Sequence, residues 1–146
     1  MKKLSLLVFA LAALGVVLFF AAVHATQGAP ETMTMNSGVY AKHTKTLVTF
    51  THKKHNVDYK ITCSDCHHLY EGGKNVWKEG SEVKKCEACH TEAKAPKDDK
   101  TPKAEKITKY HYSAIHANCQ GCHKELKKTG KPTGPTACKD CHPKAQ

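Results

Sequence analysis

No arginine occurs among the 146 residues; all 23 basic side chains are lysine. Proteins that read nucleic acid usually use the planar guanidinium fork on phosphates and base edges, so no nucleic-acid partner is expected. Aromatic residues make up 7% of the chain and apolar residues of all kinds 40%, and much of that apolar content lies before residue 25. The remainder is poor in Leu, Ile, Val and Phe. A chain this lean stays disordered or is stapled by something other than its own side chains. That excludes an ordinary globular enzyme with a large core. Methionine is scarce too: three residues, one of them Met1. Cysteine (eight) and histidine (eleven) are the abundant chemistry, so function is sought there. The length allows one domain plus a targeting segment.

The first segment reads as an address. Lys2 and Lys3 form a positive start, and Leu4 to Val23 is almost wholly apolar. Val23-His24-Ala25 ends the run with a small residue, and the polar Thr26-Gln27-Gly28 follows. Residues 1–25 are therefore expected to be a secretory signal peptide, and the chain to reach the periplasm. The stretch is also long enough to span a bilayer, so a retained anchor is the rival reading. Contact with the membrane is expected only if that segment is retained. Loss of Lys2 and Lys3 would bring the formal charge from +10 to +8.

The cysteines fall into four pairs, each with two residues between and a histidine directly after: Cys63/Cys66-His67, Cys86/Cys89-His90, Cys119/Cys122-His123 and Cys138/Cys141-His142. C-x-x-C-H is the attachment motif for c-type haem. Two thiols one turn apart can add to the two vinyl groups on one porphyrin edge, and the next histidine then lies under the ring. A disulfide framework is the first competitor, since small exported chains are often disulfide-rich. It leaves the four histidines unexplained. With 11 histidines in 146 residues, four chance placements have a probability on the order of a few in 100,000. Zinc is the second competitor, because the gaps of nineteen and fifteen residues between successive pairs fit a zinc ribbon. It too leaves the histidines idle. A thioredoxin-like redox pair needs a βαβ context that is missing. Four covalently attached haems are the reading that uses every residue of the pattern.

Four irons have eight axial positions, and the motif histidines fill half. Six histidines remain beyond the signal segment: His43, His52, His55, His68, His111 and His116. The two remaining methionines, Met33 and Met35, lie near the start, so bis-His ligation is expected throughout. That predicts low potentials and no open iron position. His52 and His55, three apart, point to one side of a turn. His68 follows His67 and cannot serve the same iron, because adjacent side chains diverge. His116 precedes Cys119 by three residues, with His111 as its main rival. His43 and His111 are otherwise expected to be exposed surface histidines.

Val48-x-Phe50-x-His52-x-x-His55, then Cys63-x-x-Cys66-His67-His68, then three more attachment motifs, resembles the tetrahaem cytochrome c3 family (class III cytochromes c) over about residues 45–146. The resemblance implies His52 with His67 at haem 1, His68 with His90 at haem 2, His55 with His123 at haem 3 and His116 with His142 at haem 4. Many members carry a longer C-x4-C-H at the second and fourth sites, whereas all four motifs here are C-x-x-C-H. The short His116-to-Cys119 spacing is more similar to the trihaem c7 relatives.

The expected fold is small and mostly irregular, with short helices, a small N-terminal β-ribbon and a core built by the cofactors, like cytochrome c3. Residues 26–44 form an N-terminal extension and 45–146 the tetrahaem domain. Lys45–Phe50 and Tyr59–Thr62 are the expected ribbon strands. Ser81–His90 predicts a helical turn ending in the second motif. Ser113–Lys128 predicts a helix capped by Ser113 and stopped by Gly130 and Pro132. Lys94–Lys103 predicts a solvated loop. The function this implies is one-electron carriage between a dehydrogenase, typically a hydrogenase in the resembled family, and a membrane redox complex. An acidic partner would meet a lysine patch of Lys124, Lys127, Lys128, Lys131, Lys139 and Lys144. A membrane-tethered haem subunit of a quinone-linked complex and a metal-reducing cytochrome are the alternatives. Sequencing the N-terminus of the exported protein should begin at Thr26; a start at Met1, with the protein in the membrane fraction, would establish the anchor instead.

Overall fold

The sequence pairs the strand ending at Phe50 with Tyr59–Thr62, but the computed structural model, which describes residues 29–144, pairs it elsewhere. Strands β1 (Met33–Thr34) and β2 (Thr49–Phe50) form an antiparallel ribbon with Met33 opposite Phe50. Met35 N–H donates to the Val48 carbonyl at 2.8 Å and lengthens it. Tyr59–Thr62 cannot join because its donors are already used. Lys54–Asp58 winds as a π-helical turn, and Tyr59 and Ile61 donate back to the carbonyls of Lys54 and His55 at 3.0 and 3.1 Å. A donor held in a turn is lost to a ladder. The expected signal segment, residues 1–25, lies outside the described residues.

A second ribbon joins β3 (Tyr70–Glu71) to β4 (Lys74–Asn75). Its two-residue turn is Gly72-Gly73, with φ of 55° and 79°. Two successive positive φ values are what a tight hairpin of this hand needs, and glycine alone adopts them without strain.

Helix α1 (Lys103–Lys109) begins directly after Pro102, with Glu105 in its first turn and Lys106 and Lys109 in its last. Those charges oppose the helix dipole ends. Helix α2 (His111–Lys128) is preceded by the extended residue Tyr110 as its N-cap, three residues before the predicted Ser113 cap. Ser113 is not needed as a cap, because His111 and Tyr112 donate to the carbonyls of Glu92 and Ala93 at 2.7 and 3.0 Å. A neighbouring segment thus satisfies the donors a helix start leaves over. The predicted stop holds. Gly130 (φ 70°) closes α2, with Gly130 and Lys131 donating to the carbonyls of Lys127 and Leu126.

The attachment motifs themselves are single helical turns. Cys63–Asp65 and Cys86–Ala88 are 3-10 turns, and Cys138–Cys141 is helix α3. The third motif lies within α2. Of the helical turn expected over Ser81–His90, only Cys86–Ala88 is helical, with Lys85 extended before it.

From Glu31 onward the chain is one compact unit. Residues 31–44 are tied into it by β1, by Gly38 N–H donating to Glu87 Oε2 at 3.0 Å, and by Tyr40 Oη on His111 Nδ1 at 3.0 Å. Among the described residues the only buried hydrophobic side chains are Tyr110 and Ala114, where α1 meets α2. The architecture is the small, mostly irregular one expected, and its own side chains make almost no core. Few apolar contacts imply little stability without a cofactor. The chain produced without haem attachment should therefore give a coil-like far-UV circular dichroism spectrum and no cooperative melt; a sharp transition with native-like helix content would show that the side chains suffice.

Candidate haem-binding sites

Each C-x-x-C-H motif uses one turn to bring two thiols and an imidazole to the same side. In the first, second and fourth motifs the histidine N–H donates to the carbonyl of the first cysteine: His67 to Cys63 (2.8 Å), His90 to Cys86 (2.9 Å) and His142 to Cys138 (2.8 Å). In the third, α2 supplies the same geometry. The i→i+4 bond fixes the histidine relative to both cysteines, which is the register the motif requires.

All eight cysteines are free thiols. Burial, more than neighbouring Cys66 and Cys86, pushes the Cys119 thiol up to about 11. Burial likewise raises Cys66, Cys86 and Cys141. These thiols stay protonated at neutral pH. Among the described residues no group of three or more His, Cys, Asp or Glu side chains converges on a metal-sized point, so the cysteine pairs do not form the four-thiolate cluster of a zinc ribbon.

The structure brings eight histidines together in pairs, each joining one motif histidine to one from elsewhere. Ring centres are 6.3 Å apart for His52 and His67, 6.0 Å for His68 and His90, 6.2 Å for His55 and His123, and 6.3 Å for His116 and His142. A metal–imidazole bond is about 2.0 Å, and the ring centre lies about 1.1 Å behind the bonded nitrogen. Two imidazoles on opposite sides of one iron therefore have centres about 6.2 Å apart. All four pairs leave room for one metal ion between them.

Backbone carbonyls set the ring orientations. Nδ1 lies on the carbonyl of Thr108 for His90 (2.8 Å), of Pro135 for His123 (2.8 Å) and of Thr46 for His142 (2.6 Å). His55 and His116 use the carbonyl four residues back on their own turns, Thr51 (2.9 Å) and Tyr112 (2.7 Å). A carbonyl only accepts, so Nδ1 carries the proton in all five and Nε2 keeps its lone pair for a metal. His67 is held by a face: the Trp77 ring stacks on it at 5.1 Å. Trp77 is itself fixed by Nε1–H donating to the Glu82 carbonyl at 3.2 Å. Burial first, then the nearness of His52 and His68, lowers the His67 pKa and favours the neutral, ligating form.

The two remaining histidines are not the exposed surface residues expected. His111 is buried, with Nδ1 on the Tyr40 hydroxyl. His43 is half-buried, with Nε2 at 2.8 Å from Asn36 Oδ1. Neither is among the four ring pairs spaced for one iron. His111 is drawn inside because it opens α2 beside Tyr110, where the small core of the described residues lies. Sequence reasoning missed Thr46, Thr108, Pro135, Trp77 and Tyr40. The carbonyls of Thr51 and Tyr112 were within reach of a helical i−4 count, whereas the others come from distant segments.

Exposed apolar side chains cluster beside the motifs: Leu69 and Tyr70 after the first, Val83 before the second, and Tyr112 about two helical turns ahead of the third. Such side chains suit porphyrin faces. With thiol pairs, imidazoles paired at 6.0–6.3 Å and apolar flanks, the residues present fit four c-type haems.

The Class III cytochrome C family, as a sequence profile, matches residues 23–142. Over 122 residues the chain is 41% identical to a cytochrome c3 of Maridesulfovibrio salexigens, covering 80% of this chain and 96% of that protein. Over 118 residues it is 33% identical to a cytochrome c3 of Desulfovibrio desulfuricans, covering 80% and 97%. In three dimensions it is similar to the di-tetraheme cytochrome c3 of Desulfovibrio gigas, with a TM-score of 0.53 over 80% of this chain and 98% of that one, at 23% identity.

His116→Ala should leave one haem with an open position, giving a high-spin fraction near one quarter and carbon monoxide binding on reduction. His111→Ala should keep four low-spin haems. The reverse result in ultraviolet–visible and EPR spectra would exchange the roles of His111 and His116.

Proposed function

The chain belongs to the class III cytochrome c family, and from that membership we propose that it is a periplasmic, low-potential electron carrier holding four bis-His c-type haems. Cys63, Cys66, His67 and His52 hold haem 1; Cys86, Cys89, His90 and His68 hold haem 2. Cys119, Cys122, His123 and His55 hold haem 3; Cys138, Cys141, His142 and His116 hold haem 4. One observation carries this reading: four imidazole pairs 6.0–6.3 Å apart, each with one member from an attachment motif.

When bound, each haem supplies one-electron exchange between ferric and ferrous iron. The chain's residues decide what kind of exchange. Paired imidazoles close both axial positions, which favours carriage over catalysis at iron. Nδ1–H groups held by carbonyls make the rings more electron-rich and favour the ferric state. Methionine would raise the potential, and Met33 sits instead in the β1–β2 ribbon opposite Phe50.

Eight haem propionates would bring a mature chain of charge +8 close to neutral when reduced and to about +4 when oxidised. Charge distribution then matters more than the total. Lys124, Lys127, Lys128, Lys131, Lys139 and Lys144 are all exposed around the third and fourth motifs. This lysine face would meet an acidic donor, a hydrogenase or other dehydrogenase, or an acidic acceptor such as a membrane cytochrome complex. Lys124 Nζ is drawn back onto Gln120 Oε1 at 2.8 Å, and the Lys128–Glu125 pair is loose at 3.9 Å, so most of the positive charge is free to act at a distance.

A redox titration with visible spectroscopy should return four low-spin haems of low potential that do not bind carbon monoxide; a high-spin haem in the wild-type protein would overturn the carrier reading. Reversing Lys127, Lys128 and Lys131 to Glu together should slow reduction by an acidic hydrogenase by roughly tenfold at low salt and abolish most of the salt dependence; unchanged stopped-flow rates would put docking on another face.

A further inference from the structure

Three consecutive residues beyond α2 close over a single imidazole. Thr133 Oγ1 donates to the carbonyl of His123 at 2.9 Å, and the carbonyl of Pro135 accepts from His123 Nδ1 at 2.8 Å. Between them Gly134 lies against the ring. A Cβ built on Gly134 would sit 2.6 Å from His123 Cε1, 2.9 Å from Nε2 and 3.1 Å from Nδ1. Optimal contacts between carbon atoms are about 3.5–4.0 Å, so there is no room for a methyl group. The other six described glycines meet nothing within 4 Å of that position, and Gly134 has no positive φ that would call for glycine on backbone grounds. The ring alone excludes a side chain here. The strap is anchored back onto α2 by Gln120 Nε2, which donates to the Thr136 carbonyl at 3.0 Å.

We propose that Gly134 is a positioning residue for the third haem: by having no side chain it lets the Thr133–Pro135 strap lie on His123 and hold the ring plane and the Nδ1 proton. The inference rests on the reading of His123 as an iron ligand. A free histidine would swing its ring away from an added methyl at little cost. A ring bonded to iron, on a turn tied through Cys119 and Cys122, cannot swing. The strap must retreat instead, and the Pro135 carbonyl leaves Nδ1. Loss of that acceptor makes the imidazole a poorer donor to ferric iron, so the potential of this one haem rises.

The test uses the exported holoprotein. Intact mass and EPR of the wild type establish four haems and four low-spin signals; fewer would refute the ligand reading beneath this proposal, not the proposal by itself. The third haem is the one whose low-spin signal is lost in His55→Ala. Gly134→Ala should retain four haems, shift that signal and raise one of four potentials, leaving the other three in place. Four unchanged signals in Gly134→Ala overturn the proposal, and so does a shift spread over all four. If Gly134→Ala does not mature, Thr133→Ala loosens the same strap without adding an atom. A shift confined to the third haem then supports the proposal, and its absence overturns it.

Discussion

A carbonyl that accepts from Nδ1 fixes the imidazole tautomer and leaves the Nε2 lone pair available, and much of this chain's irregular backbone supplies such carbonyls. Five of the eight paired histidines donate Nδ1–H to a main-chain carbonyl. Two of those carbonyls are local, one helical turn back. The other three are delivered from Thr46, Thr108 and Pro135, residues in an N-terminal loop, at the end of α1 and in the strap after α2. A loop that carries a required acceptor is constrained as tightly as a helix. This explains how a domain with almost no apolar core keeps long irregular segments in register.

The site was far more legible in the sequence than the fold. Each attachment motif is one turn, so its geometry follows from local spacing and needs no tertiary information. The resemblance supplied the partner histidines, and the structure brings the corresponding ring centres to 6.0–6.3 Å from one another. Ribbon partners were not legible. Thr49–Phe50 has a strand's residues, but so does Tyr59–Thr62, and only the π-helical turn at Lys54–Asp58 decides between them. The start of α2 differs for a similar reason: Ser113 is a good cap by composition, yet the carbonyls of Glu92 and Ala93, nineteen residues before the donors they take, do the capping. His111 looked like a surface residue because its burial depends on Tyr40 and Tyr110, one of them 71 residues away.

The second motif shows how the N-terminal segment takes part. Glu87, between Cys86 and Cys89, accepts from Gly38 N–H, and its carboxyl is held below the usual carboxylate range, chiefly by Ser37 and then by that backbone contact. Ser37 is itself buried. Residues 36–40 thus fasten one attachment turn through Glu87 and the start of α2 through Tyr40 and His111. What read as an extension acts as a brace across two sites.

The four imidazole pairs are also joined by very short stretches of main chain. His67 and His68 are neighbours in sequence but belong to different pairs, as do His52 and His55 one turn apart. His116 and His123 stand on the same helix, about 10 Å apart along its axis for seven residues of rise. Followed through these links, the pairs form an unbranched series: His68/His90, His52/His67, His55/His123, His116/His142. A peptide bond, a single turn and a rigid rod are poor springs, so the gaps in that series cannot widen much. Tunnelling falls off steeply with separation. With a haem at each pair as proposed, the polypeptide would act as a ruler that limits how far neighbouring haems can separate.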